Sequence, residues 1–451
     1  MSLMPNSDKP ILLFDCDPGC DDALALALMA QRQSSKRSYS EVNILTVAGN
    51  VSVEQTTFNA ARVLTASLLD QIPSKGGASG DNYELVDCFK VFRGCSQNTD
   101  GEKPSAASVH GRDGLGDAPN CLIWEEIGHS PEQREPGRES FHELLKRLID
   151  DRTSAVERYR AFGCEDELTS FDLLCTGPLT NLAFALVQMP KNEQAAFWRK
   201  CRNIVIMGGA FGLGGNITHS AEFNIFADPT ATDIVLTSFG EFKMRQQMEA
   251  KNTDVADPYL HFVSLDITEE VAIPIDSKGT KSPTRRVAKF LRYALKQYGQ
   301  FHVFHCKRPV IRDGNGDVLD LGEFDSTSYA NAQLAGSNGD GALNRYCYLH
   351  DPLAAWVLLE GMVTDSIWTK SEIRIDTGQG HGQGRIILSE PRAKGGMTPV
   401  PIASHGLIVK WLDPAKFSDE LKRRFIDDVA SLLEIEIAQS WKRENQKLPL
   451  T

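Results

Sequence analysis

Continuous apolar runs of strand length recur along the chain, each followed by a short turn and then a longer apolar stretch of helical composition. Ile11-Leu12-Leu13-Phe14 predicts a strand over 10–15, and Pro18-Gly19 supplies a turn. Ala23 to Met29 then predicts a helix over 21–31, too apolar to face water. A second strand over 42–48 ends in Gly49-Asn50 and precedes a helix near 54–69. The same order returns at Phe171–Thr176, where Gly177-Pro178 turns the chain into a helix opened by Leu179–Ala183. A strand over 202–207 ends in Gly208-Gly209, and Asp228-Pro229 signals a helix start. An apolar helix is expected over 349–358, strands over 371–376, 385–390 and 406–412, and an amphipathic helix over 415–439. Strand–helix–strand order of this kind predicts an α/β fold: one Rossmann-like domain with a mostly parallel central sheet flanked by helices.

Three stretches break the pattern. Residues 71–108 are rich in Gly, Ser and Asp and read mostly as loop, 118–140 as a surface insertion, and 277–345 as a long polar insertion. An amphipathic helix is expected over 138–151. Asp313 to Asp317 imitates the start of a calcium-binding loop but has Val318 at the sixth position and Phe324 at the twelfth, so it reads as a turn. His302 and His305 read as ordinary helix-face histidines. No linker or repeat divides the chain, which predicts one domain over 10–440 with insertions, and tails at 1–9 and 441–451.

The formal charge of −12 argues against a nucleic-acid backbone or an anionic membrane as the main partner. No apolar run reaches the ~20 residues of a membrane-spanning helix, and Met1 to Pro10 lacks the apolar core of a signal peptide. The cysteines form no CxxC pair, and Cys16, Cys175 and Cys201 sit in apolar runs, as reduced buried thiols would. Both glycosylation sequons, at Asn50 and Asn216, fall in candidate site motifs. A cytoplasmic location is the expectation.

Asp15, Asp17, Asp21 and Asp22 crowd the first strand-to-helix corner. Four mutually repelling acids need a cation or polar ligand, and ligands bind at the carboxyl ends of strands in α/β sheets. Asn50, at the end of the next strand, is placed to reach them. His110, with Asp113, lies in a Gly-rich loop suited to a site segment. Asn216, Glu222 and Asn224 offer both donors and acceptors and suit a polyhydroxylated ligand. His350-Asp351 stands just before an apolar helix with a proline in its first turn.

Taken in order, Asp15 to Asp22, Gly49-Asn50, Val109 to Gly116, Thr176 to Asn181, Met207 to Asn224 with Asp228-Pro229, and Leu349 to Leu353 closely resemble the motifs of the inosine–uridine-preferring nucleoside hydrolases. The resemblance runs from about residue 10 to 440. It implies hydrolysis of the N-glycosidic bond of a ribonucleoside, a bound Ca²⁺, and a homodimer or homotetramer. It further implies that Asp17, Asp22, Asp351 and the Thr176 carbonyl hold the metal, and that Asp17 takes the proton of the attacking water. Asp21, Asn216, Glu222 and Asn224 would grip the ribose, supported by Asn50, with Met207 packed against the sugar. His350, and secondly His110, would protonate the departing base.

Ile72 to Ala78 lacks the short apolar strand expected after the second helix, and Gly378 to Arg385 departs from the family's usual late turn. These departures leave the ribose-and-metal floor intact and the nucleobase open, with two histidines leaning toward a broad or pyrimidine-accepting site. Two other readings stay open at this point: an Mg²⁺-dependent phosphohydrolase in which Asp15 is the nucleophile, and a non-catalytic relative that binds Ca²⁺ or ribosides.

Overall fold

Residues Ile11–Cys16 form β1, and every one of its side chains is buried because both faces of the strand are covered. Leu12, Phe14 and Cys16 join one hydrophobic cluster, while Ile11 and Leu13 join a second on the opposite face. The computed structural model describes residues 9–71, 85–117, 141–164, 170–249, 258–274, 282–305, 311–312, 318–319, 346–378, 380, 382–389 and 407–435.

The following strands are β2 (Glu41–Thr46), β3 (Phe89–Arg93), β4 (Ile149–Asp150), β5 (Phe171–Cys175), β6 (Cys201–Met207) and β7 (Leu260–Val263). After them come β8 (Ala272–Pro274), β9 (Ile311–Arg312), β10 (Val318–Leu319), β11 (Tyr346–Tyr348), β12 (Trp368–Ile375), β13 (Ile386–Ser389) and β14 (Ile408–Leu412). A 10-stranded sheet runs in the order β13-β12-β14-β7-β6-β5-β1-β2-β3-β4. Its strands are parallel from β14 through β4, and only β12 runs against the rest. β8 with β11, and β9 with β10, form separate antiparallel pairs.

From β1 the chain builds outward through β2, β3 and β4, then returns to the other side of β1 to add β5, β6 and β7. The switch lies between β1 and β5, which opens a crevice beyond their carboxyl ends. The aspartate corner follows β1 and Thr176 follows β5, so both candidate motifs arrive at one edge.

The helix Cys20–Lys36 starts at Gly19, whose N–H is accepted by the Asp22 carboxylate at 3.1 Å. Its first eleven residues are buried, which explains the lack of any polar stripe. It packs against the helices Val53–Gln71, Arg286–His305 and His350–Leu359.

Two expectations are corrected. Residues 71–108, read as mostly loop, contain β3, which pairs with β2 in the parallel sheet; the strand sought near Ile72 comes later, at 89–93. Its five residues end in Arg93 and lie in a polar context, which hides them from a periodicity search. Residues 277–345, read as a polar insertion, contain the 20-residue helix Arg286–His305, whose Val287, Phe290, Leu291, Ala294 and Leu295 are core. The helix expected over 138–151 spans Phe141–Leu148 and then gives way to β4. The helix expected over 415–439 spans Asp419–Leu433. The segments 118–140, 72–78 and 313–317, the tails 1–8 and 441–451, and the side chains of His302 and His305 lie outside the described residues.

Asn181 fastens the centre of the sheet below the crevice. Its Nδ2 donates to Asp15 Oδ1 and to the Thr46 carbonyl, each at 3.0 Å, and its Oδ1 accepts from Cys95 N–H at 2.8 Å. The side chain thereby ties β1, β2 and the segment after β3 to the helix after β5. Asn181→Leu leaves two buried acceptors and the partly buried Cys95 N–H without that partner and is expected to cost about 2–4 kcal/mol in urea unfolding. A loss within about 0.5 kcal/mol, the range of ordinary surface changes, would contradict the assignment.

Candidate active site

The crevice holds a cavity of about 500 Å³, within the range of small-ligand sites. Asp21, Asn50, Thr176, Asp351, Glu222 and Asn224 line it at one end or wall. Asp17 and Asp22 lie fully buried behind these, at 0% exposure.

The floor is built from strand ends. Asn50, after β2, donates its backbone N–H to Asp17 Oδ2 at 2.7 Å. Its Nδ2 reaches the Asp17 carbonyl at 3.0 Å and Asp22 Oδ2 at 3.1 Å. Thr176 Oγ1 donates to Asp22 Oδ1 at 2.7 Å. Gly49 and Gly177 are small for a steric reason: a Cβ on them would lie 2.1 Å from Asp17 Oδ2 and 2.7 Å from Asp17 Oδ1 respectively. The backbone can close around the Asp17 carboxylate only where no side chain intervenes.

Asp21, Asp22 and Asp351 bring carboxylate oxygens within 4.8 Å of one another. Asp17 stands outside that triad by distance, but its Oδ1 and Asp21 Oδ1 are both buried without a hydrogen-bond partner. Burial raises the pKa of Asp17 and Asp351 well above the carboxylate range, and the neighbouring acids raise them further. Asp22 is pushed up to about 7, first by burial and then by the Asp21 charge. Buried oxygens without donors, on acids that repel one another, are the chemistry of a cation site. The donors are all oxygen, with no Cys or His among them, and suit a hard divalent cation.

The wall on the β6 side is equally specified. Glu222 caps the short helix Phe223–Ala227, accepting from Asn224 N–H at 2.8 Å, Ile225 N–H at 3.1 Å and Gly209 N–H at 3.2 Å. Burial still raises it to about 7 against those bonds. Asn224 Nδ2 donates to the Thr176 carbonyl at 2.7 Å and lies 3.4 Å from Met207 Sδ. Asn216 Oδ1 accepts from Phe223 N–H at 2.9 Å, on the exposed rim.

Two neutral histidines face the floor. His110 Nδ1 accepts Cys20 N–H at 3.0 Å, so the ring's proton sits on Nε2. Asp21 Oδ1 is 3.9 Å from that same Nδ1, with no proton between them. Burial lowers the His110 pKa, opposed by the Asp21 charge. His350 Nδ1 lies 2.6 Å from Thr268 Oγ1, and burial lowers its pKa to about 4.

All twelve residues that the resemblance put in a site therefore converge, Asp17 and Asp22 from beneath the cavity and the other ten on its walls. Several participants were not legible in sequence. Tyr298 stacks on His110, with ring centroids 4.9 Å apart, and donates to Asp21 Oδ2 at 2.9 Å. It lies in the stretch read as an insertion, and a single tyrosine there carries no signal. Thr268 belongs to a four-residue helix. Asp266 accepts from Phe211, Gly212 and Leu213 N–H at 2.8, 2.6 and 3.1 Å, fixing the rim loop. Asp15 takes no part in the cavity: it is bonded to Tyr159 OH and Asn181, and burial raises it to about 8. That position does not suit a phosphoryl-accepting nucleophile.

Cation-free protein should show the charge crowding as a pH effect. Asp22 and Glu222, raised to about 7, hold protons in the folded state that the unfolded chain releases near its ordinary carboxylate values. The folded state then binds more protons, so stability falls as pH rises from about 4 toward 7. In chelator, urea midpoints should be lower at pH 7.5 than at pH 5, and a hard divalent cation should raise the pH 7.5 midpoint more. A chelated midpoint that climbs over the same interval would contradict the reading of the site.

The family model of the inosine-uridine preferring nucleoside hydrolases matches residues 12–418. Uridine nucleosidase 1 of Arabidopsis thaliana is 30% identical over 228 residues, 50% of this chain and 53% of that protein. The pyrimidine-specific ribonucleoside hydrolase RihB of Escherichia coli is 32% identical over 231 residues, 51% of this chain and 57% of that protein. The aligned region thus spans little more than half the length of these two relatives. A probable uridine nucleosidase 2 of Arabidopsis thaliana is 27% identical, over 66% of this chain and 73% of that protein. A plant nucleoside hydrolase structure shares the fold at a TM-score of 0.58 and 22% identity, covering 95% of this chain and 99% of that one.

Proposed function

This chain belongs to the inosine-uridine preferring nucleoside hydrolase family, and on that premise we propose that it cleaves the N-glycosidic bond of ribonucleosides to free base and ribose. The observation that carries the proposal is the buried carboxylate floor with its unbonded oxygens, joined in one cavity by two neutral histidines.

The cation is proposed to be Ca²⁺, held by Asp17, Asp22, Asp351 and the Thr176 carbonyl. When bound, it supplies positive charge that keeps these acids ionised and polarises the oxygens it holds. Asp17 accepts the proton of the attacking water, for which its buried Oδ1 has no competing donor. Asp21, Asn216, Glu222 and Asn224 bind the ribose hydroxyls, Asn50 holds Asp17 and Asp22 in register, and Met207 packs under the sugar. Water oxygen bonds to C1′ as the bond to the base nitrogen breaks, and the electron pair leaves with the base. The ribosyl centre becomes cationic on the way, and acids beneath it lower that barrier.

The departing base must gain a proton. His350, ahead of His110, is assigned to it, with Nε2–H of His110 available as a donor toward the cavity. A pyrimidine nucleoside is the proposed preference, supported by the two histidines and by the substrates in the names of the Arabidopsis thaliana and Escherichia coli relatives. A homodimer or homotetramer in the cytoplasm completes the proposal.

Ribose release from a panel of uridine, cytidine, inosine, adenosine and guanosine tests this directly. Chelation should abolish turnover and Ca²⁺ restore it, while Asp17→Asn should lower kcat by about 10²–10⁴-fold. Ca²⁺ binding without release from any nucleoside would overturn the hydrolase and favour a binding protein.

A second comparison isolates the leaving group. His350→Ala should depress turnover of uridine by about 10²-fold or more, yet leave a riboside with a p-nitrophenolate leaving group nearly unaffected. Equal losses on both substrates would remove His350 from the protonation role.

A further inference from the structure

Three ammonium groups surround one phenol ring on a part of the molecule that takes no part in the cavity. Lys243 Nζ, Lys370 Nζ and Lys410 Nζ lie 4.8, 4.7 and 4.8 Å from the centroid of Tyr259. They come from separate elements: the helix Pro229–Glu249, β12 and β14, with Tyr259 just before β7. None of the four lines the cavity.

The sheet register sharpens the anomaly. Lys370 and Lys410 are directly paired across β12 and β14, and like charges directly opposite destabilise a sheet. The residue paired with Lys410 on β7 is His261, whose Nδ1 lies 3.1 Å from the Ile204 carbonyl. Burial, and then the Lys410 charge, lowers its pKa to about 3. It is a neutral neighbour and offsets nothing. In a chain with formal charge −12, carboxylates are plentiful. Yet among the described residues no carboxylate lies within ion-pair distance of Lys370 or Lys410. Lys370 Nζ donates to Tyr259 OH at 3.1 Å, and Lys243 Nζ to the Pro258 carbonyl at 3.1 Å. Burial, then Lys370, lowers the Lys410 pKa, so the crowding is felt.

The ring faces partly explain the arrangement, since each cation gains from the quadrupole of the phenol. They do not neutralise the repulsion between Lys370 and Lys410. A compact oxyanion does, because several acceptor oxygens can take hydrogen bonds from more than one ammonium at once. We propose that Lys243, Lys370, Lys410 and Tyr259 form an oxyanion site for a phosphate group, separate from the cavity. The phosphate could be free or carried on a nucleotide, and the site does not depend on the hydrolase reading.

The test is isothermal titration of the full-length protein with inorganic phosphate, diphosphate and uridine monophosphate. Each is compared with sodium chloride at equal ionic strength, and uridine serves as the control for the cavity. Saturable binding of a phosphate species is expected, with affinity reduced at least tenfold in the Lys370→Gln/Lys410→Gln variant. Binding by phosphate and diphosphate identifies the free ion. Tighter binding of the monophosphate that is lost in the same variant identifies the nucleotide. Lys410→Glu should abolish binding and hold or raise the melting temperature, because a carboxylate then faces Lys370. Heat indistinguishable from chloride, or affinity unchanged in the double variant, would overturn the site. The second result would also reveal phosphate acting elsewhere, as on a cation held by the carboxylate floor.

Discussion

Repulsion among carboxylates that water cannot reach is the constraint around which this protein is arranged. Asp17, Asp21, Asp22 and Asp351 are each no more than 5% exposed, and none can be charged without raising the cost of charging the others. Their hydrogen-bond donors are few and each is fixed in place. Asn50 holds Asp17 and Asp22, Thr176 holds Asp22, and Tyr298 holds Asp21. What these donors leave over is Asp17 Oδ1 and Asp21 Oδ1, both buried and unbonded, beside a triad of carboxylates whose oxygens lie within 4.8 Å of one another, an arrangement that suits a hard cation.

The sheet makes such crowding sustainable. Parallel strands buried on both faces bring the ends of β1, β2, β5, β6 and β7 to one edge, each delivering one polar segment to the crevice. The chain can then meet at Asp17 from three directions, but only through residues without side chains, Gly49 and Gly177. Beneath them Asn181 and Tyr159 engage Asp15 on the layer below, so that one aspartate of the corner is structural while its neighbours two and more residues away line the site. Asp15 lies within β1, on the side it shares with Ile11 and Leu13, whereas Asp17 lies beyond Cys16, the last residue of the strand.

The two histidines beside the floor are held differently. Both rings are held neutral by burial, and their Nδ1 atoms are already engaged, by Cys20 N–H for His110 and by Thr268 Oγ1 for His350. The cavity therefore combines buried acids with neutral, hydrogen-bonding rings.

Much of this was legible in sequence. Long apolar runs broken by Pro-Gly and Gly-Asn turns announced the parallel sheet, and acidic, amide and histidine residues at strand ends announced the site. Those signals are local: burial on two faces leaves no polar positions, and a sharp turn needs Pro or Gly whatever surrounds it. Less was legible where the meaning of a residue depends on a distant partner. Phe89–Arg93 becomes a strand because β2 lies beside it. Tyr298 matters because its helix packs over Asp21 and His110, more than 180 residues away in the chain. Lys370 faces Lys410 through a strand register that no local pattern encodes. The sequence by itself determined the strands at 11–16, 41–46, 171–175 and 201–207 and which of their ends carry chemistry, since those follow from hydrophobicity and turn geometry within a few residues. The tertiary structure alone decided which acids are buried together, which are satisfied and which are left without a partner, because desolvation and hydrogen bonding depend on what the folded chain brings within a few ångströms.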